Sequence, residues 1–504
     1  MADLAAFSQS SPTPEENGQS GKPWYQLLNR YHWFVLTVAA LGWLFDCLDQ
    51  QLFILARPAA MEELVTPDFV TEPAKLDAAR KLYGDISTSI FIAGWACGGL
   101  FFGMLGDRIG RAKTMMLTIL IYSGFTGLSA LSVGPWDFAL YRFLTGLGVG
   151  GEFAVGVALV AEVMPNRARP YTLGLLQALS AVGNVSAAFI NLGLGLSEEE
   201  GLPWSPWRIM FLIGAVPALL ALVIRRYLRE PEQWQQANAD KASTKQLGSY
   251  RELLSTPLLR KHALLGLALG CSGVIGLWSV GFYTPDLIRS VQKPVIENEV
   301  LTELAAEKPE VDIERIRTAI ADSQAVAGLN EAELEVKKQA DSRIKGRLTR
   351  WQSYTSLMIN VGAFLGMFGF GVLAERIGRK PAFTIAFIAA YLSTVTVFWT
   401  LSELWQIFVF VPIMGFCQLS LFAGYAIYFP ELFPTRLRST GTSFCYNVGR
   451  FVAAGGPLVK ILLDQLYEGP MANRYTGMTM STIFLLGLLV LPFLPETKGR
   501  PLPE

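Results

Sequence analysis

This sequence predicts an all-α membrane protein with twelve spanning helices in two pseudo-symmetric six-helix halves, and three observations carry that prediction. The first is composition: 504 residues, 51% apolar and only 17% charged, with a mean hydropathy of +0.35, a balance that belongs to membrane proteins rather than soluble domains. The second is a series of apolar runs, each long enough at ~20 residues to cross a ~30 Å hydrocarbon core as a helix. The third is internal repetition. Asp107-Arg108-Ile109-Gly110-Arg111 returns as Glu375-Arg376-Ile377-Gly378-Arg379, 375 against 107. Glu162-Val163-Met164-Pro165-Asn166-Arg167-Ala168-Arg169 returns as Glu431-Leu432-Phe433-Pro434-Thr435-Arg436-Leu437-Arg438, 431 against 162. Arg229-Glu230-Pro231 is echoed by Pro495-Glu496-Thr497-Lys498. Duplicated halves that enclose a site near the bilayer midplane are the architecture of secondary transporters.

The spans fall near 32–55, 85–106, 113–133, 137–163, 171–195 and 207–228 in the first half. In the second they fall near 262–284, 351–374, 381–401, 404–429, 440–465 and 475–494. The first run has no small-residue cleavage site and carries Asp46 and Asp49, so it reads as a spanning helix and not a signal peptide. Lys and Arg cluster in alternate short loops, at Arg108/Arg111/Lys113, Arg167/Arg169, Arg225/Arg226/Arg229, Arg376/Arg379/Lys380 and Arg436/Arg438. The positive-inside rule puts that side, and both termini, in the cytoplasm of a cell-membrane protein.

The domain reading is a disordered tail over 1–25, a first half over 26–229, a polar central loop over 230–260 and a second half over 261–499. An Ala/Glu/Lys/Arg-rich outer insertion over 291–350, with a helix from Glu331 to Lys345, interrupts the second half, and 500–504 form a tail. All five cysteines lie inside proposed helices, which argues against a disulfide or zinc framework. His32 and His262 open the first helix of each half as interface residues. A net charge of zero gives no nucleic-acid footprint. No nucleophile–base pair or metal-ligand cluster appears, so neither an enzyme nor a cofactor is predicted.

Ionisable groups at membrane depth cost ~2.5–3.5 kcal/mol even on lenient scales, and so face a cavity or a partner. Asp46 and Asp49 sit three residues apart on one face of helix 1. Arg142 enters helix 4 at a depth from which it can reach Asp49, and Glu152 lies near the middle of the same helix. Burial disfavours a charged carboxylate while a nearby guanidinium favours it, so these four residues are the candidate proton-coupling set. A static buried ion pair is the competing reading. Helix 5 carries Gln177, Asn184 and Asn191 at intervals of seven; Gln177 and Asn184 are read as cavity residues and Asn191 as an interhelical bond. Gln418, Trp278, Tyr283, Tyr425 and Tyr446 are further candidates to line the pocket, and Arg450 supplies a cation near the centre of helix 11.

Gly103-Met104-Leu105-Gly106-Asp107-Arg108-Ile109-Gly110-Arg111 resembles the helix 2–3 loop of the major facilitator superfamily. The likeness covers nearly the whole chain apart from 1–25 and 291–350. The Glu-Pro-Arg-Arg pairs and the Pro-Glu-Thr-Lys-Gly ending at Gly499 resemble its sugar-porter side and the related metabolite:proton symporters. Phe45-Asp46-Cys47-Leu48-Asp49 and the run from Arg142 to Glu152 resemble its organic-acid symporters of the sialate, aromatic-acid and niacin type. The resemblance implies proton coupling at Asp49 and Arg142. It also implies a cytoplasmic gate formed by Gly103, Asp107, Arg108, Gly110, Arg111, Glu162 and Arg169 with Glu375, Arg376, Arg379, Glu431 and Arg438. In physical terms Arg108 and Arg376 are placed to bond helix C-terminal carbonyls, and Asp107 and Glu375 to accept from a neighbouring helix N-terminus; simple positive-inside anchoring is the alternative.

The helix 7 stretch Ser272-Gly273…Trp278 departs from the paired amides with which sugar porters read hydroxyls, and Arg450 can bind a carboxylate bidentately. The sequence therefore points to a monomeric, proton-coupled importer of a small organic anion, with protons and membrane lipids as its other partners. A sugar or polyol symporter is the principal competitor. A drug-efflux antiporter and a non-transporting nutrient sensor rank lower, since helix 5 has no Gly-Pro pair and no long tail follows helix 12.

Overall fold

The computed structural model describes residues 23–66, 76–198, 204–239, 247–280, 284–321, 328–453, 463, 466–467 and 471–504. The described part is built from helices α1 (Arg30–Leu64), α2 (Leu76–Ile109), α3 (Arg111–Ser129), α4 (Pro135–Val163), α5 (Arg169–Glu198) and α6 (Pro206–Tyr227) in the first half. The second half has α7 (Pro257–Val280), α8 (Glu331–Ile377), α9 (Arg379–Thr400), α10 (Ile407–Leu432), α11 (Arg438–Ala453) and α12 (Ala472–Phe493). Ten helices among the described residues are long and apolar enough to cross a membrane. Large apolar side chains such as Phe101, Leu140, Phe189, Leu219, Leu392 and Leu489 stand exposed on the bundle, as lipid-facing residues must.

Within each half the layers follow the repeat: α4 packs on α2 and α3, and α10 packs on α8 and α9. The α2–α4 seam is close because glycines face each other across it. A Cβ on Gly94 or Gly98 would strike the carbonyls of Phe143 or Leu147, and one on Gly146 or Gly150 those of Phe91 or Trp95. Small residues at i, i+4 let helix backbones approach where no hydrophobic driving force separates helix from lipid. A Gly150→Val variant is therefore expected to lower the melting midpoint in detergent and cost about 1–3 kcal/mol or more, the range for overpacking; an unchanged midpoint would contradict the seam.

The two halves meet along α2–α11 and α5–α8, pairs related by the repeat, with α5–α10 and α4–α11 behind them. The polar loops rich in Lys and Arg gather at one end of the bundle, here the basic end, and the insertion lies at the other.

Several expected boundaries shift. α1 continues to Leu64. α7 begins at Pro257, so the central loop ends before residue 260, and it holds two short helices, Glu232–Ala239 and Tyr250–Ser255. The tail expected over 1–25 is ordered from residue 23: Trp24–Leu27 forms a 3-10 turn, and Trp24 stacks on Tyr171 at 5.4 Å. Residues 1–22 lie outside the described residues, as do Tyr283 and much of the stretch expected to complete α11.

The largest difference is at the insertion. Its last helix and the spanning helix are one element, α8, of 47 residues, about 70 Å at 1.5 Å per residue. Its outer portion packs with Thr284–Glu307 and Ile313–Ala321 around Ile296, Val300, Leu304, Ile316, Val336 and Ala340. No proline or glycine lies between Arg350 and Val361, so the helix has no reason to end there.

Candidate functional site

Glycine governs the geometry of both repeated loops. Gly110 and Gly378 have φ of 114° and 103°, a conformation open to glycine and strained for other residues. Each ends one helix and opens the next within a single residue. The arginine that follows then folds back beneath the helix just completed. Arg111 donates to the carbonyl of Gly106 at 3.0 Å and Arg379 to that of Ala374 at 3.2 Å. These second arginines, not Arg108 and Arg376, bond the helix C-termini. Arg108 instead reaches the carbonyl of Leu247 in the central loop, and Arg376 accepts through its own carbonyl from Lys498. The reason is direction: side chains of a helix's last turn point back and outward, whereas the first residue after the glycine is aimed inward.

The acids of the third repeat motif have a role that sequence reading missed. Glu230 accepts from the backbone N–H groups of Ala112 and Lys113, capping α3; Glu496 accepts from those of Arg379 and Lys380, both at 2.9 Å, capping α9. Burial opposes ionisation of Glu496, but four backbone N–H donors outweigh it and hold the carboxyl below the usual range. The recurrence of an acid after helices 6 and 12 was the available signal.

At the basic end two carboxylates of the first half, Glu162 and Asp107, join it to the second. Glu162 Oε1 accepts from Arg111 of its own half and from Arg438 of the other, each at 2.8 Å. Arg111 also reaches the Thr435 carbonyl at 2.6 Å, and Asp107 accepts from Ser439 N, Thr440 N and Thr440 Oγ1 at the start of α11. Gly103 gives Ser443 its space. The repeat partners do not mirror this. Glu431 bonds Arg379 and Thr497, both in its own half, and Arg169 bonds Ala161 O and Asn166. Glu375 pairs with Arg379 at 3.4 Å and accepts from no helix N-terminus among the described residues. The residue matching Ser439 is Pro170, which has no N–H to give.

In the first half, Asp49 Oδ1 accepts from Thr126 at 2.6 Å, and Asp49 Oδ2 stands 3.8 Å from Arg142 Nη1. That is an ion pair without a hydrogen bond, for Asp49 Oδ2 and Arg142 Nη1 are both buried and unpartnered. Ser129 and Thr145 hold the rest of the guanidinium, with the rings of Phe53, Phe138 and Phe211 around it at 5.6, 5.9 and 4.6 Å. Glu152 Oε2 accepts from Thr118 at 2.8 Å, while Asp46 has no hydrogen-bond partner among the described residues. The structure thus brings the four candidate residues into one buried column. Thr118, Tyr122, Thr126 and Ser129 of α3 face it; their spacing of four, four and three residues was a helical stripe legible in the sequence and not read.

At the junction of the halves, Arg450 of α11 lies 4.3 Å from the ring centroid of Trp95 on α2 and 4.4 Å from that of Tyr446. It donates to Asn447 Oδ1 at 2.6 Å. Its Nε is buried and unpartnered, and among the described residues it pairs with no acid. Tyr446 stacks on Phe153 at 4.0 Å, which meets Trp43 at 4.8 Å. Trp95 and Asn447 were not anticipated. Gln177 is buried with Oε1 unpartnered. Two amides are placed otherwise than expected. Asn184 donates to Asn360 of α8 at 3.0 Å, taking the interhelical role assigned to Asn191, which is exposed. Gln418 donates to Thr394 of α9 at 2.6 Å, and Tyr425 to the Leu269 carbonyl. Trp278 belongs to α7, and its side chain lies outside the described residues.

A family model, sugar (and other) transporter, matches residues 36–270 and 319–418. The chain belongs to this family. Among similar members, the niacin transporter NiaP of Acinetobacter baylyi is 26% identical, covering 94% of this chain and 96% of that protein. The sialic acid transporter NanX of Escherichia coli is also 26% identical, covering 93% and 95%. The solved structure of the proton:xylose symporter XylE superposes with a TM-score of 0.67 at 16% identity, over 94% of this chain and 98% of that one. The fold is therefore that of the major facilitator superfamily, and this family member is a multi-pass membrane transporter of small molecules and not an enzyme.

Proposed function

We propose that the protein takes up a small organic monoanion together with a proton, with Arg450 as the carboxylate reader. The observation that carries this reading is a buried guanidinium, 4% exposed, set between an aromatic ring of each half and lacking an acidic partner among the described residues. A buried charge without a counter-ion is expensive, and a substrate carboxylate supplies that counter-ion with bidentate geometry. The names of relatives that carry niacin and sialic acid agree with an acid.

The proton side rests on the loose Asp49–Arg142 pair. Protonation of Asp49 removes the charge that Arg142 faces, while Ser129, Thr145 and three rings keep the guanidinium in place. One proton with one monoanion moves no net charge, so the pH gradient alone drives uptake, at about 1.4 kcal/mol per pH unit. The test is uptake of nicotinate, benzoate and sialate by proteoliposomes under an imposed pH gradient. The parent is expected to accumulate at least one of the acids, and Asp49→Asn only to equilibrate it. Accumulation by Asp49→Asn equal to the parent's would remove the coupling role, and hexose uptake with no acid uptake would favour a sugar carrier.

A further inference from the structure

The Asp49–Arg142 pair does not account for all the acid in the first half. Asp46 is 1% exposed and neither carboxylate oxygen has a hydrogen-bond partner; Glu152 is 1% exposed and its Oε1 has none. The two are neighbours: Glu152 Oε1 is the atom nearest to a Cβ built on Gly42, and Asp46 lies one helical turn from Gly42 on the same face of α1. A third orphan closes the group, the hydroxyl of Tyr122, fully buried beside Asp46, Glu152 and Asp49.

The charged and titratable groups facing Asp46 are few. α4 presents Glu152 and, toward the far side of Asp49, Arg142; α3 presents Tyr122; α1 itself has Cys47 and Asp49. α11 brings Arg450 to Cys47, where it is held by Asn447 and the two rings. No base forms an ion pair with Asp46 or Glu152 among the described residues, and no group of acids there is arranged to hold a metal ion.

Two carboxylates so placed cannot both remain ionised, because like charges in a dry site repel and neither has a donor to replace its lost hydration. A single proton solves both problems. It neutralises one carboxyl and turns it into a donor for the other's empty lone pair, and such a pair titrates as a unit. We propose that Asp46 and Glu152 form a second proton site, separate from Asp49–Arg142, that holds one shared proton when the basic end is closed. This deepens the proton-coupling reading, on which its role in transport rests. The first half then carries two titratable stations along α1 and α4, the Asp49 station toward the insertion end and the Asp46–Glu152 station toward the basic end, with the hydroxyl stripe of α3 beside both.

Infrared spectroscopy of the full chain in detergent, in H2O and D2O near neutral pH, tests this without any substrate. The protonated carboxyl C=O stretch is expected in the parent, shifted by D2O, lost or displaced in both Asp46→Asn and Glu152→Gln, and kept in Asp49→Asn. Parent protein labelled with 13C-aspartate and, separately, 13C-glutamate gives the same information if a variant does not fold, since a shared proton makes the band respond to both labels. A parent with no protonated-carboxyl band near neutral pH, or a band indifferent to both substitutions and both labels, would overturn the proposal. If instead Asp49→Asn accumulates substrate normally while the band behaves as expected, the coupling reading fails and the proton site stands.

Discussion

Arg450→Ala is expected to weaken organic-anion binding about 100-fold, within the 2–5 kcal/mol typical for removing one partner of a buried charge pair, and Arg450→Lys to restore only part of the loss. Lysine returns the charge but not the plane: an ammonium cannot lie against Trp95 and Tyr446 together, nor offer two parallel donors to one carboxylate. The ligand-free protein is expected to respond in the opposite direction. Arg450 is buried without an acid among the described residues, so its replacement by methionine removes an uncompensated charge and should leave the melting midpoint unchanged or higher. A structural arginine would show the reverse, with lost stability and untouched ligand response. Melting curves with and without nicotinate, benzoate and sialate report both quantities, because a ligand that binds only the folded state raises the midpoint. Equal ligand shifts in the parent and in Arg450→Ala would remove Arg450 from the site.

The repeat made the architecture legible. Charged loops recurring at near-constant spacing set the two halves and most helix positions, and Arg142 was tied to the acids of helix 1 because it enters helix 4 at a depth from which it can reach Asp49. What the repeat concealed was asymmetry. It offers Asp107 and Glu375 as equivalents, yet a single imino acid, Pro170, withholds the donor that Ser439 gives. It offers Arg108 and Arg376 as the loop cations, yet the glycine turn aims the next arginine inward instead. Asn184 and Gln418 are polar and at mid-depth, as a cavity residue would be, but which neighbour an amide meets depends on helix rotation, and spacing alone does not set that. Trp95 and Asn447 went unread because aromatic and amide side chains are common in packed helices; only their meeting around Arg450 across the junction gives them meaning. The long α8 escaped for another reason: a solvated helical segment and an apolar span differ in composition, and composition shifts read as boundaries even where the backbone runs on.

That asymmetry sets the second large expectation, that Glu162→Gln opens the basic end. One oxygen of Glu162 ties Arg111 to Arg438 across the halves, and both arginines are fully buried. Glutamine preserves the shape and one acceptor, and Arg111 keeps Asp107 at 3.0 Å, but Arg438 loses the one acid it pairs with among the described residues; breaking that buried pair costs ~3–5 kcal/mol. Arg111 shares a half with Glu162 and loses that contact in any conformation, whereas the loss at Arg438 falls on the closed conformation alone, because the proposed rocking of the halves separates Arg438 from Glu162. At about 1.4 kcal/mol per decade, even the lower figure shifts the closed-to-open ratio more than 100-fold. Glu431→Gln, whose acid serves Arg379 and Thr497 within one half, should lower stability with little change in that ratio. A Ser443→Cys reporter reads the difference, because Ser443 is fully buried at the α2–α11 contact, where it donates to the Gly99 carbonyl. Its labelling by a hydrophilic maleimide is expected to accelerate strongly with Glu162→Gln and weakly with Glu431→Gln. Equal acceleration by both would mean that the latch is symmetric after all, and no acceleration by either would mean that these acids brace each half without holding the two together.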